Sequence, residues 1–412
     1  MHFLKTSASA ATLALCLLSQ ANADVVTDWN VVALNAGNAA RLTPTGQTPA
    51  LQARNLAMVH LAMFDALNSI EPKYTPYRVQ LKMPNTTSRE AAASTAAHYL
   101  IVRLYPAQSK DADAALQDAL ASVPAGADKM QGIQLGEKVA AAMLEERKTD
   151  GADASDTYRP HGAAGAYVPT ILTASWNWGA VKPFAMTSAS QFRPGAPYAL
   201  NSAEWAKDYN EVKKMGAKTG SGRSDEQTDT AKFWEQTGAG SFNQIVQQVA
   251  AAKKLPLLEN ARLYAHAYLA TSDAFIAIFD AKYTYNFWRP LTAIRNGDND
   301  SNAATELDAA WAPFVTTPMH PEYPCAHCIA QSSAAAVLKT LFGDGLPITV
   351  MMTSPTAPGV TRKFDRLSDY TTEIVNARIY DGVHYRTSGD VGVEMGRKLG
   401  EYVTQNFLKP VN

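Results

Sequence analysis

Cysteine is nearly absent from this chain, with three residues in 412: Cys16, Cys325 and Cys328. That count excludes a disulfide-built scaffold and a four-cysteine metal centre. Excess charge is missing too. The net charge is −1, so no global field draws in nucleic acid or an anionic membrane surface. No stretch beyond the N-terminus is long and apolar enough to span a bilayer. Runs of β-branched residues are scarce, and Pro347–Thr353 alone reads as a strand. There is no clear internal repeat and no low-complexity tail. What is present is length and alanine. A chain of 412 residues with 46% hydrophobic content builds a large core or two domains. Its abundant alanine predicts an all-α protein.

The first 23 residues read as a secretory signal. Lys5 supplies the positive start, Ala10 to Leu18 form a short apolar core, and Ala21-Asn22-Ala23 is a small-x-small cleavage site before Asp24. The mature protein is therefore expected to be periplasmic or secreted, with no stable membrane insertion. Cys16 leaves with the signal. Cys325 and Cys328 remain in a C-x-x-C spacing in an oxidising compartment, where a local disulfide is open to them.

Hydrophobic periodicity places helices over Gln52–Ile70, Arg89–Leu104, Lys110–Val123 and Lys129–Lys148. Residues 151–200 are rich in Gly, Pro, Trp and Tyr. They read as a long ordered loop anchored by Trp176, Trp178 and Phe184. Helices resume at Ala203–Met215, at Ser224–Glu235 behind a Ser224-x-x-Gln227 capping box, and at Phe242–Ala252. Leu257–Lys282 is the longest and most apolar, and is expected to be central. Thr361–Tyr380 and Asp390–Phe407 close the chain. A helical region over 24–200 and a second over 201–412 is the expected organisation.

The chemistry concentrates around His320-Pro321-Glu322-Tyr323-Pro324-Cys325-Ala326-His327-Cys328. Two prolines keep this segment extended up to Pro324. The run from Ile329 to Leu338 is helical in pattern, so Cys325 to His327 fall where a loop becomes a helix. Free N–H groups and the helix dipole make that junction an anion site. Two basic clusters accompany it. Lys282 closes the long apolar helix and Arg289 stands before Pro290. Arg378 closes a later helix, Gly382 breaks it, and His384 follows. Taken singly, each has a plain structural explanation: a lysine or arginine at a helix C-terminus complements the dipole, and a lone histidine is usually a hydrogen-bonded one. His60, His98, His161 and His266 belong to no such cluster and read as structural.

In combination, Lys-x6-Arg-Pro, then Pro-x-x-His, then Arg-x5-His resembles the pattern shared by vanadium-dependent haloperoxidases and type 2 phosphatidic acid phosphatases. The bacterial haloperoxidase-like branch is the nearer likeness, helped by stretches such as Ala57 to Ala66 and Asp280 to Ile294. The resemblance implies the helical bundle architecture of the haloperoxidase/acid phosphatase type. It implies that Lys282, Arg289 and Arg378 neutralise the oxygens of vanadate, or of a phosphate substrate in the same pocket. Backbone N–H groups at Cys325 and Ala326 would add hydrogen bonds. His384 would be the vanadium ligand, or the nucleophile of a phosphatase. His327 would be the acid/base. His320 falls near the bound oxyanion, where a histidine leans toward bromide oxidation, and a loop-packing role weighs about equally for it. The substrates implied are hydrogen peroxide and halide, or a phosphate ester. Neither a monomer nor a homo-oligomer is excluded.

Three positions depart from the pattern. Ser-Gly before the motif histidine is Cys325-Ala326 here, the serine before the last arginine is Ala377, and the acid four residues past the final histidine is Ser388. A thiol is a poorer donor than a hydroxyl, and the group that orients His384 is left unassigned. Haloperoxidase leads, with an exported acid phosphatase as the alternative. A dithiol redox site at Cys325 and Cys328 lacks the surrounding βαβ pattern. A non-catalytic oxyanion binder would bind without turnover. Zinc held by Cys325, His327 and Cys328 lacks the span for a tetrahedral site.

Overall fold

The computed structural model describes residues 24–43, 46–169 and 171–411; the signal segment at 1–23 lies outside them. The regular structure of the described residues is helical, apart from one hairpin. α1 (Val25–Arg41), α2 (Pro49–Ile70), α3 (Arg89–Leu104), α4 (Ser109–Ala121) and α5 (Ala127–Glu146) come first. After the loop-rich stretch come α6 (Ala203–Met215), α7 (Asp225–Phe233), α8 (Gly240–Lys253), α9 (Leu257–Tyr285) and the short α10 (Pro290–Arg295). α11 (Ala326–Phe342), α12 (Leu367–Tyr380) and α13 (Arg386–Asn406) complete the set.

α9 is the axle. Its 29 residues contain no glycine or proline and are buried on every face from Leu263 to Phe279, as a helix central to a large core must be. It ends where Asn286 takes a left-handed conformation, φ 47°, which asparagine tolerates better than most residues. α2 packs along it on one side and α11 and α13 on the other. One hydrophobic core runs from Trp29 and Phe64 through Tyr268 to Leu399, so it crosses the position near residue 200 where the composition changes.

Local signals act as chemistry dictates. Thr48 caps α2 with Pro49 at its first position. The Ser224–Gln227 capping box is formed at the start of α7. The loop over 151–200 is tied down through Asp273 of α9, whose carboxylate accepts the N–H groups of Phe184, Ala185 and Met186, each at 2.7 Å. Trp178 and Phe184 are buried there.

Two boundaries correct the expectation from periodicity. Residues 361–366, expected to open a helix, form strand β2 (Thr361–Arg366), which pairs antiparallel with β1 (Gly345–Thr353). The alternation is visible in hindsight: Phe364 is buried while its neighbours in Thr-Arg-Lys-Phe-Asp-Arg face out. α13 begins at Arg386, two residues after His384, rather than at Asp390. Glycines on α13 let it approach α11 closely: a Cβ at Gly392 would come within 2.7 Å of the Cys325 carbonyl oxygen, and one at Gly400 within 2.5 Å of that of Ser333.

Candidate active site

Four elements meet at the N-terminus of α11. α9 delivers Lys282 at its C-terminal end. The extended residue before α10 delivers Arg289. α12 delivers Arg378, and the turn after it delivers His384. That turn depends on Gly382, at φ 78° and packed so tightly on Gly216 that an added Cβ would come within 2.4 Å of the Gly216 carbonyl oxygen. Lys282, Arg289, Arg378 and His384 are all buried, and the structure brings together the residues that the sequence pattern singled out.

Each group is fixed by a specific partner. Lys282 Nζ donates to the Pro321 and Glu322 carbonyls at 2.8 and 2.7 Å. Arg289 spans the site. Its Nε donates to the His320 carbonyl at 2.9 Å, one terminal nitrogen to the Val383 carbonyl at 2.8 Å, and the other to His320 Nδ1 at 3.0 Å. Because a guanidinium only donates, His320 Nδ1 is an acceptor and its proton sits on Nε2. Arg378 donates to the Trp234 carbonyl at 3.1 Å and pairs with Asp381 one helical turn on.

His384 is held by Glu322. Its Nδ1 donates to Glu322 Oε1 at 2.6 Å, and the same oxygen accepts the Tyr385 N–H at 3.1 Å. With the proton on Nδ1, the lone pair lies on Nε2, which faces the Arg289 guanidinium at 3.3 Å. Ser388 stands 3.3 Å from Nδ1, so the acid that the sequence left unassigned is Glu322, inside the His-Pro-Glu-Tyr-Pro run. A carboxylate that is the one acidic residue within that motif was the signal that could have found it. Asp381 is the second group missed, and its i, i+3 spacing from Arg378 was the signal there.

The helix N-terminus is more restricted than the pattern implied. The Cys325 N–H donates to the Ser388 carbonyl at 3.1 Å, and its sulfur accepts from the Cys328 N–H at 3.0 Å. Cys325 and Cys328 are joined in a disulfide. Cys325 therefore has neither a free amide nor a thiol proton to offer an anion. The N–H groups of Ala326 and His327 remain at the first turn. The half-buried His327 donates from Nε2 to the Gln236 carbonyl at 3.1 Å, which leaves its Nδ1 as the basic nitrogen.

Charge decides what this pocket wants. Three cations, Lys282, Arg289 and Arg378, face two buried carboxylates, Glu322 and Asp381. Burial pushes both carboxyls up to about 7, which weakens their compensation further. Burial, and then neighbouring Arg289, hold Lys282 well below its ordinary value; burial lowers Arg289 to about 10. Burial and the adjacent cations keep His384 neutral. The Nε of Arg378 is buried with no partner, and Lys282 uses two of its three donors on carbonyls. Uncompensated buried charge and spare donors are costly unless an anion completes the site. A tetrahedral oxyanion with a metal-like centre fits the donor set: cations for its oxygens, and a neutral imidazole nitrogen for the central atom. No group of three or more His, Cys, Asp or Glu side chains that could hold a metal ion occurs among the described residues.

The comparisons with known proteins bear on the fold and the family. Residues 262–412 match the family described as the VCPO second helical-bundle domain. That match supports the likeness to the superfamily of vanadium-dependent haloperoxidases and type 2 phosphatidic acid phosphatases read from the motifs. It is 23% identical to the vanadium chloroperoxidase of Curvularia inaequalis, covering 89% of this chain and 79% of the relative. Its structure superposes on that of a bacterial vanadium-dependent iodoperoxidase with a TM-score of 0.77 at 25% identity, covering 93% of this chain and 97% of the other. A holo-type bacterial vanadium-dependent chloroperoxidase shares the fold, with a TM-score of 0.69 at 19% identity over 89% and 94% of the two chains. These relatives are enzymes, and the helical-bundle fold of the superfamily is the fold of this chain.

Proposed function

We propose that this protein is a vanadate-dependent haloperoxidase that oxidises halide with hydrogen peroxide. One observation carries the reading: three buried cations, Lys282, Arg289 and Arg378, converge with two buried carboxylates beside a neutral histidine whose Nε2 carries the lone pair and faces Arg289. Lys282, Arg289 and Arg378 would hold the vanadate oxygens, joined by the Ala326 N–H, and His384 Nε2 would be the ligand to vanadium. When bound, vanadate supplies a Lewis acid that polarises peroxide for attack by halide.

The chain's own residues do the remaining work. Glu322 holds the His384 proton on Nδ1 and so keeps the lone pair on Nε2. His327, with Nδ1 unprotonated, takes a proton from incoming peroxide and returns it to the departing oxygen as water. Arg289, fixed by three contacts, places His320 at the entrance to the site. On the strength of His320 beside the oxyanion site, bromide is the preferred halide. The signal-like residues 1–23 support export, to the periplasm or outside the cell.

The alternative is an exported acid phosphatase, with His384 attacking phosphorus. The Glu322 contact would serve that chemistry as well, since a carboxylate-oriented imidazole is also a competent nucleophile. One experiment separates the two. The purified protein is assayed for oxidation of iodide, bromide and chloride by hydrogen peroxide, with and without orthovanadate, beside hydrolysis of a chromogenic phosphate ester. The proposal expects vanadate-dependent oxidation, strongest with bromide among the halides matched to their intrinsic reactivity. Ester hydrolysis inhibited by vanadate, with no halide oxidation, would assign the site to the phosphatase.

A further inference from the structure

His327 takes its orientation from a segment outside the oxyanion site. The donation from its Nε2 to the Gln236 carbonyl at 3.1 Å is the one hydrogen bond of the ring among the described residues. Burial, and then the charge of Arg378, hold the ring well below its ordinary value and so keep it neutral. A neutral imidazole has one N–H and one lone pair, and a carbonyl accepts only from the N–H. The Gln236 carbonyl therefore decides that Nδ1 is the basic nitrogen, and the strength of that decision depends on how firmly Gln236 is held.

Gln236 and Thr237 lie between α7 and α8, in neither helix, and make no backbone–backbone hydrogen bond among the described residues. Side chains from α1 and α2 hold the segment instead. Arg41, the last residue of α1, donates to the Thr237 carbonyl at 2.5 Å and to the Thr237 hydroxyl. Gln52 of α2, fully buried, accepts the Ala239 N–H at 3.1 Å and donates to Asn38 of α1 at 2.9 Å. Gly238 completes the turn at φ 84°, and a Cβ there would run into the Arg41 guanidinium and the Gln52 amide. Glycine alone supplies both that conformation and that room. The guanidinium fork grips two oxygens of one residue, a geometry that an ammonium does not reproduce. Arg41, Gln52 and the turn all precede the matched stretch 262–412, so the first two helices of the chain reach across to a residue of α11.

We infer that Arg41 is a positioning residue for His327: by fixing Thr237 it holds the adjoining Gln236 carbonyl against Nε2, and so keeps Nδ1 free as the base. The inference rests on the haloperoxidase reading for the role of His327 as acid/base. A ring released from that carbonyl can rotate and exchange tautomers, so a share of the molecules presents an N–H where the base is needed. The cations of the oxyanion site are insulated from this effect. Trp234, whose carbonyl receives Arg378, is anchored separately through its ring N–H to Glu373 at 2.9 Å. Loss of Arg41 should therefore act on turnover and not on oxyanion binding. Arg41 is only half-buried, so its truncation opens no cavity in the core.

The test compares wild type with Arg41→Ala and Arg41→Lys by two readouts. The first needs no activity. In protein carrying isotope-labelled histidine, the hydrogen-bonded Nε2–H of His327 should give a ring N–H resonance protected from exchange, identified by its loss in His327→Ala. That resonance should vanish in Arg41→Ala and weaken in Arg41→Lys. The second readout is iodide oxidation by hydrogen peroxide at saturating orthovanadate. Arg41→Ala should lower kcat by about tenfold or more, a part of the roughly 10²–10⁴-fold that a positioned acid/base supplies. Arg41→Lys should fall between, and orthovanadate affinity, measured by calorimetry, should be the same in all three proteins. In a His327→Ala background, Arg41→Ala should cost nothing further, because the two residues act as one unit. A resonance missing from wild type or kept in Arg41→Ala overturns the inference, and so does an equal kcat loss with and without His327. No iodide oxidation by wild type would remove the haloperoxidase reading, and the resonance would still decide the role of Arg41.

Discussion

Glu322 Oε1 lies 2.6 Å from His384 Nδ1, and both side chains are buried. The two residues are 62 positions apart in sequence. The contact sets the tautomer of the histidine and leaves its one lone pair on Nε2. It also links the motif before α11 to the turn after α12, so the site is assembled only when the bundle is closed.

Removing that contact should weaken vanadate binding without dismantling the pocket. Glu322→Ala is expected to lower orthovanadate affinity by about 10- to 100-fold, the usual cost of losing a group that orients a metal-bound histidine. Glu322→Gln keeps an acceptor for Nδ1–H and should lose less. Calorimetric titration of both variants with orthovanadate reads this directly. Equal affinity in wild type and Glu322→Ala would remove Glu322 from any positioning role.

Arg289 is not replaceable by another cation. Its fork reaches the His320 carbonyl, His320 Nδ1 and the Val383 carbonyl at once, which a single ammonium cannot do. Arg289→Lys keeps the charge, yet should weaken orthovanadate binding by at least about tenfold. Unchanged affinity would show that charge alone is required there.

The Cys325–Cys328 bridge closes a very short loop. Chain-entropy reasoning gives it about 2 kcal/mol of stabilisation. Thiol titration of a chain starting at Asp24, denatured without reductant, should find no free thiol. Denaturant unfolding should lose about that much free energy, with a lower midpoint, once reductant is added. Two free thiols in the oxidised protein would contradict the pairing.

Acid should destabilise the fold through histidines remote from the site. His60 lies stacked between Tyr264 and Tyr268 and accepts from Asn30 at 2.9 Å; His266 donates to the Phe407 carbonyl at 3.0 Å. Burial lowers both to about 3, against about 6.5 in an unfolded chain. Below about pH 6.5 the unfolded state takes up protons that the folded state refuses, so stability falls as pH falls through the window from about 6.5 to 3. Two pH units below the unfolded value, each histidine accounts for about 2–3 kcal/mol. The buried carboxyls of Glu322 and Asp381, raised to about 7, act in the opposite direction, so the histidine contribution is read by difference: the thermal midpoint of wild type should drop relative to that of His266→Gln as pH falls from about 7.5 to about 4.5. A difference that does not change with pH would show that the His266 ring is protonated in the fold.

Much of this was legible in the sequence because its signals are local. α3 and α6 begin and end where periodicity places them, and the capping box at Ser224 forms as written. The charged residues of the site were legible as a pattern of spacings. What escaped was set by distant packing. β2 was hidden because a six-residue strand beside a helix shares its composition and is fixed only by pairing with β1. Glu322 and Asp381 escaped because a buried carboxylate is recognised by what it touches, and Glu322 touches a residue 62 positions away. The loss of the Cys325 amide followed from its contact with the Ser388 carbonyl, which no spacing reveals, whereas the C-x-x-C spacing had already left the disulfide to Cys328 open.

The most direct test is to titrate metal-free protein with orthovanadate and follow bromide oxidation by hydrogen peroxide. The account predicts activity that is absent at the start, saturates near one vanadate per chain, and is lost in His384→Ala while the variant keeps its thermal midpoint. Bromide oxidation that is independent of vanadate, or that survives intact in His384→Ala, would contradict it.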